Sequence, residues 1–113
     1  MPTKDEREPF HRATVAEAKE MLQDDGVVVI DVREPHEYQG GHLPTATLIP
    51  VNSVFARREE LPKDKKIVFV CAVGQRSALA AEMAAAAGLP ADHLYPLDGG
   101  TDAWRKAGEA VEL

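Results

Sequence analysis

The chain has 113 residues, of which 44% are hydrophobic and 28% are charged, and its formal net charge is −6. This length and composition are those of one ordinary globular domain, and a second domain does not fit. The acidic balance argues against a general binder of nucleic acids or of anionic membranes, although it leaves room for a local cationic site that takes a small anion.

The single cysteine and the absence of long apolar runs predict the compartment. One cysteine cannot form an internal disulfide. The N-terminus lacks the apolar centre of a signal peptide, and no run approaches the roughly 20 apolar residues that cross a bilayer. We therefore expect a cytoplasmic protein that is not bound to a membrane. Residues 1–10 begin with a polar stretch and are predicted as a flexible tail, which leaves 11–113 as one domain.

The first half of the chain predicts a helix followed by a buried strand. Thr14 and Glu17 form a capping-box pattern ahead of apolar residues, which indicates a helix over residues 14–23. Residues 27–32 form a β-branched run without alternation, as in a strand that is buried on both faces. A short strand at 47–49 and a helix over 53–60 are predicted next.

The second half repeats this alternation of strands and helices. The predicted elements are a strand at 67–70, a helix over 77–87, a strand at 94–97 and a helix over 101–107. Such an order predicts an α/β fold with a mainly parallel central sheet of about five strands and helices on both faces. In such folds the active site lies at the carboxyl ends of the strands.

The only cysteine, Cys71, falls in a tight turn between a strand and the strongest helix of the sequence. The first N–H groups of that helix lack intrahelical partners and point toward the turn, which makes it an anion site. A helix N-terminus and a nearby cation are expected to lower the pKa of Cys71 below the ordinary value of about 8.5. Arg76 adds a planar guanidinium, and Gly74 permits a positive φ. The alternative is an inert buried thiol.

The loop after the strand at 27–32 is rich in charges and would lie beside the Cys71 loop. A carboxylate there could act as a base. The stronger interpretation is that the polar residues of this region pair with one another or with loop backbone and so support the site. These expected supporting residues are Asp31, Arg33, Glu37 and His42.

Nucleotide and metal sites are not indicated. The glycine pairs at 40–41 and 99–100 lie outside any phosphate-binding glycine pattern, and they are predicted as turns. The four histidines lack the spacing of metal ligands and have one cysteine to join them. We expect no metal and no cofactor.

Several motifs together resemble the single-domain rhodanese family of sulfurtransferases, and the likeness covers roughly the whole chain. They stand in the family's order, and such a combination is much more specific than one motif alone. The family usually has glycine where Thr45 stands, which puts the backbone of that turn in question. The motifs are Asp31-Val32-Arg33-Glu34, Gly41-His42-Leu43-Pro44, the segment from Cys71 to Arg76, and Leu97-Asp98-Gly99-Gly100 followed by Ala103-Trp104.

The resemblance implies an enzyme that moves sulfane sulfur from thiosulfate or a similar anionic donor to a thiol or cyanide. The thiolate of Cys71 would attack the outer sulfur of the donor and hold it as a persulfide. The loop would bind the donor, the thiolate and the persulfide through backbone N–H groups and the charge of Arg76. The expected binding residues are Ala72, Val73, Gly74, Gln75, Arg76 and Ser77.

Two other functions stay open. A phosphatase or an arsenate reductase also holds a cysteine thiolate in an arginine-containing loop. Four residues separate Cys71 from Arg76, however, whereas cysteine phosphatases resemble one another in having one more residue between the cysteine and the arginine. This spacing argues against a phosphatase. Arsenate reduction would also need a resolving thiol from another molecule.

The second possibility is a module that carries sulfur to, or docks on, a sulfur-accepting protein. Neither nucleic acid nor membrane is an expected partner.

Overall fold

A parallel sheet lies at the centre of the computed structural model, which describes Pro2 and residues 4–113. Within that part of the chain the sheet has four strands in the order β2-β1-β3-β4, and all neighbouring strands are parallel. The predicted α/β fold with a parallel sheet is confirmed. The strands are β1 (Val27–Asp31), β2 (Thr47–Leu48), β3 (Lys66–Val70) and β4 (Leu94–Pro96).

Beside β4, where a fifth strand could pair, the structure has a single β-bridge. Ala13 pairs in parallel with Leu97, and its N–H donates to the carbonyl of Pro96 at 3.1 Å. Thr14 then caps a helix immediately, so the chain turns away before a strand can form. The predicted number of about five strands is therefore one more than the described sheet has.

The helices cover both faces of the sheet, as predicted. On one face, Ile30, Ile67 and Phe69 pack in one core cluster with the helices α3 and α4. On the other face, Val29, Val68 and Val70 pack in a second cluster with α1 and α5. The described residues form five α-helices, which are α1 (Val15–Met21), α2 (Pro35–Gln39), α3 (Val51–Val54), α4 (Gln75–Ala86) and α5 (Gly100–Lys106), and 3-10 turns occur at Arg58–Glu60 and Ala91–His93.

The region predicted as one helix over 53–60 is divided in the structure. Helix α3 begins earlier, at Val51, and ends at Val54. The guanidinium of Arg58 donates to the carbonyl of Phe55 at 2.8 Å, so a side chain satisfies a carbonyl that a continuing helix would use. Residues 58–60 then form a 3-10 turn.

Phe10 belongs to the packed domain and not to a tail. Its side chain is 1% exposed and lies in the core cluster with Ile30 and Phe69. The predicted boundary after residue 10 is therefore too late in the chain. Met1 and Thr3, also assigned to the tail, lie outside the described residues. Among the residues that the structure describes, no helix is long and apolar enough to cross a membrane.

Candidate active site

Cys71 follows the last residue of β3, at the carboxyl edge of the sheet, and is fully buried. The Gly74 N–H donates to its Sγ at 3.0 Å. The thiol lies 3.7 Å from Ser77 Oγ, and that hydroxyl donates to the Gly74 carbonyl at 3.0 Å. Gly74 has φ 105° and caps α4, a conformation that favours glycine. The loop thus folds back around its own sulfur.

The loop backbone presents several further donors. Within residues 4–113, the N–H groups of Ala72, Val73, Gln75 and Arg76 have no carbonyl or side-chain acceptor. Such N–H groups at the start of a twelve-residue helix, together with the helix dipole, favour an anion at this position. The predicted binding segment therefore has the backbone geometry of an anion site.

The first turn of helix α5 holds the Cys71 backbone in place. Thr101 donates to the Cys71 carbonyl from its N–H at 2.8 Å and from its Oγ1 at 2.9 Å. The Asp102 N–H donates to the Ala72 carbonyl at 3.1 Å. A Cβ on Gly100 would lie 2.1 Å from the Cys71 oxygen, so only glycine fits there. No local signal in the sequence indicates these contacts, although the adjacent strands β3 and β4 bring the start of α5 next to the Cys71 loop.

Arg76 is bound to Glu37 across the site. Its two terminal nitrogens donate to the two carboxylate oxygens of Glu37 at 2.7 and 2.9 Å. The Arg76 hydrogen bond lowers the pKa of Glu37 from 4.5 to about 2, assisted by the Glu34 N–H and opposed by partial burial. Glu37 in turn raises the pKa of Arg76. The sequence predicts Glu37 as loop support and Arg76 as an anion ligand, and the structure places the two side chains in one ion pair.

The remaining predicted supporting residues form contacts with one another and with loop backbone. Asp31 and Arg33 are buried and make a bidentate ion pair, with Nη2 to Oδ2 at 2.8 Å. Arg33 also donates to the carbonyl of Gly41 at 2.8 Å. His42 Nδ1 donates to the carbonyl of Tyr38 at 3.0 Å, and its ring stacks on the Tyr38 ring. Their role in supporting the site stays a prediction.

The turn that contains Thr45 keeps a glycine-like backbone. Thr45 has φ 66° and is the only non-glycine residue with a positive φ in the described part of the chain. Its N–H donates to a carboxylate oxygen of Glu112 at 2.9 Å. A β-branched residue in the left-handed region is strained. Thr45 therefore occupies a backbone conformation that favours glycine, the residue that the family usually has at this position.

An open cleft of about 350 Å³ adjoins the cysteine loop, and its size suits a small molecule. No cluster of three or more metal-ligating side chains occurs among the residues with described positions. The residues that line the cleft are Arg12, Val73, Gly74, Gln75, Ala78, Asp98 and Gly99.

The fold and the loop define an α/β domain with a cysteine inside a strand-to-helix turn whose N–H groups surround the sulfur. The chain belongs to the family of the rhodanese-like domain, whose model matches residues 14–107. The resemblance seen in the sequence is therefore confirmed. A curated relative, the thiosulfate sulfurtransferase GlpE of Pseudoalteromonas translucida, is 33% identical over 104 residues, which are 91% of this chain and 97% of that protein. Family and relative together place the chain in a sulfurtransferase family.

Solved structures agree with this assignment of the fold. A rhodanese-related protein from Thermoplasma volcanium superposes with a TM-score of 0.81 at 31% identity, over 90% of this chain and 97% of that one. A protein of unknown function from Rhodopseudomonas palustris, described as a possible tyrosine phosphatase, gives a TM-score of 0.79 at 31% identity over 99% of each chain.

Proposed function

We propose that this protein is a thiosulfate sulfurtransferase that works through a persulfide on Cys71. The observation that supports this most directly is the position of the Cys71 sulfur, 3.0 Å from the Gly74 nitrogen inside a loop of unpartnered N–H groups. Such a loop stabilises a thiolate, a persulfide and the anionic end of a donor with the same set of dipoles. The relative GlpE carries the name thiosulfate sulfurtransferase.

In the first half-reaction, the Cys71 thiolate attacks the outer sulfur of thiosulfate. A new S–S bond forms on Cys71 while the bond between the two sulfurs of thiosulfate breaks. The electron pair of that bond leaves with sulfite, which needs no proton. The products are the Cys71 persulfide anion and sulfite, and total charge and atoms are conserved.

In the second half-reaction, a thiolate or cyanide attacks the outer sulfur of the persulfide. The Cys71 sulfur leaves as the thiolate, and the acceptor departs as a persulfide or as thiocyanate. We also propose a reducing, cytoplasmic setting, where thiols are available as acceptors.

Intact mass spectrometry tests the proposal. The protein is incubated with thiosulfate, with and without later cyanide, alongside Cys71→Ser. We expect the parent to gain the mass of one sulfur and to lose it to cyanide as thiocyanate appears, while the serine variant gains nothing. If the parent gains no sulfur, thiosulfate is not a donor for this protein, and a module that acts only with a protein partner becomes the better proposal.

The same preparation tests hydrolysis of a phosphate ester. One structural relative is described as a possible tyrosine phosphatase, but four residues separate Cys71 from Arg76 here, which makes a smaller loop than a phosphatase has. Incubation with an aryl phosphate is expected to release no phosphate above the level of Cys71→Ser. Release that depends on Cys71 would favour the phosphatase over the sulfurtransferase.

A further inference from the structure

Arg76 carries the positive charge expected to attract an anionic donor, yet both of its terminal nitrogens are engaged by Glu37. The guanidinium and the carboxylate meet in a parallel, two-bond arrangement, which is the strongest geometry available to this pair. Since opposite charges at this distance cancel much of each other's field, the site presents far less positive potential than a free arginine would.

Glu37 is itself fixed and cannot easily move aside. Its Oε1 accepts a hydrogen bond from the Glu34 N–H at 2.9 Å in addition to the bond from Arg76. Helix α2, which carries it, ends next to Gly41, whose carbonyl accepts from Arg33 at 2.8 Å and from Arg105 at 3.3 Å. The carboxylate is therefore held toward Arg76 by its own helix, and its low pKa keeps it charged at neutral pH.

From this geometry we infer that Glu37 is a specificity-determining residue that weakens the binding of doubly charged anions to the cysteine loop by competing with them for Arg76. The inference rests on the proposed sulfur transfer for its kinetic consequences. A dianion such as thiosulfate must approach the Glu37 carboxylate or displace it from Arg76. A donor with a less charged reacting end, such as a low-molecular-weight persulfide, meets a smaller barrier.

The test compares the parent with Glu37→Gln, which keeps the shape and one acceptor oxygen but removes the charge. Sulfite is titrated into each protein while the amide signal of Gly74 is followed by NMR, and this readout requires no turnover. We expect sulfite to bind Glu37→Gln about five-fold more tightly, as follows from freeing a partly exposed charge. Equal or weaker binding by folded Glu37→Gln would overturn the inference.

A matched control removes a charge elsewhere on the helix that carries Arg76. Glu82 lies on α4, is exposed and forms no ion pair among the described residues. Glu82→Gln changes the net charge by the same amount, so we expect less than about a twofold change in sulfite affinity. If sulfite affinity increases equally in both variants, then net charge and not the pairing of Arg76 controls this affinity, and the inference is wrong.

A second pair of variants covers the case in which Glu37→Gln folds poorly. In Arg76→Gln, the Glu37 carboxylate faces the site without its partner, so sulfite binding should fall below that of the parent. Adding Glu37→Gln to Arg76→Gln should then restore part of that loss. A double variant that binds sulfite no better than Arg76→Gln would show that Glu37 exerts no repulsion on the anion.

Kinetics extend the test to sulfur transfer itself. We expect Glu37→Gln to raise kcat/KM for thiosulfate by about five-fold through KM, with a smaller gain for a persulfide donor of lower charge. If sulfite binding changes as expected but no donor persulfidates Cys71 in the parent, then the proposed function fails while the role of Glu37 in anion affinity stands.

Discussion

Thr101 donates two hydrogen bonds to the carbonyl oxygen of Cys71, one from its N–H at 2.8 Å and one from its Oγ1 at 2.9 Å. Both residues are buried. Because the carbonyl and the side chain of Cys71 share one Cα, these two bonds limit how the cysteine can rotate. The start of helix α5 thereby holds the backbone from which the Cys71 sulfur projects in the loop after β3.

Replacing Thr101 with valine tests this relationship. The change removes the hydroxyl and keeps the side-chain shape, so the free energy of unfolding should fall by about 1 kcal/mol. We also expect slower persulfide formation, since the Cys71 backbone loses one of its two restraints. Denaturant unfolding and the rate of mass gain with thiosulfate measure the two effects. Thr101→Ser keeps the hydroxyl, so its rate of persulfide formation should stay near that of the parent. Equal rates for the valine and serine variants would mean that the hydroxyl does not position Cys71.

Gly100 gives a sharper test of the same contact. A Cβ there would lie 2.1 Å from the Cys71 oxygen and 2.6 Å from the Ala72 oxygen, and its φ is 57°. Steric overlap and the left-handed backbone together predict that Gly100→Ala loses about 3 kcal/mol or more of unfolding free energy. Thermal and denaturant unfolding measure this loss.

Gly108 is the matched control for Gly100. It has a similar φ of 77°, but among the described residues no atom beyond its two chain neighbours lies within 4 Å of the position that a Cβ would take there. Gly108→Ala should therefore cost only about 1 kcal/mol, the left-handed penalty alone. Similar losses for the two alanine variants would show that the close approach of Gly100 to the cysteine loop adds nothing to stability.

The predictability of this site from sequence depended on how local each feature is. The strand, loop and helix around Cys71 follow one another in the chain, so an apolar run, a glycine and a helical segment were enough to place the sulfur. The pairing of Glu37 with Arg76 joins residues that are 39 positions apart. The sequence predicted that the two loops are neighbours, because both follow strands of one parallel sheet. Which side chains pair depends on the strand order and register, and no local pattern contains these.

Helix α2 was missed because its residues carry two opposite signals. Pro35 and the charges around it indicate a loop. Proline at the first position of a helix costs nothing, however, because an N–H at that position has no partner within the helix. Glu34 and Glu37 complete a capping box in which glutamate takes the place of the usual serine or threonine. The helix has five residues, too few to show an apolar period.

Thr45 is expected to be a site where glycine stabilises the protein. With φ 66°, threonine carries the left-handed penalty, and glycine would remove it at the cost of a more flexible unfolded chain. The two effects leave a net gain of about 0.5–1 kcal/mol for Thr45→Gly. Thermal unfolding measures it. Thr45→Asn, which tolerates this backbone better than threonine, should fall between the two, and a lower melting temperature for the glycine variant would contradict the account.

The ion pair of Glu37 and Arg76 should make stability depend on pH in the acid range. The folded-state pKa of Glu37 is about 2, below its ordinary value of 4.5. A lowered pKa means that the stabilisation is fully present above pH 4.5 and is lost as the pH falls from 4.5 toward 2. Because both side chains are partly exposed, with 34% for Arg76 and 24% for Glu37, solvent screening reduces the contribution to about 1 kcal/mol.

Denaturant unfolding of the parent and of Glu37→Gln as a function of pH isolates this contribution from the other carboxylates, which are common to both proteins. At pH 7 we expect Glu37→Gln to be less stable by about 1 kcal/mol. The difference should shrink steadily below pH 4.5, where protonation removes the charge of the parent's Glu37 as well. Curves that stay parallel from pH 7 to pH 2.5 would mean that the destabilisation comes from packing and not from the charge of the pair.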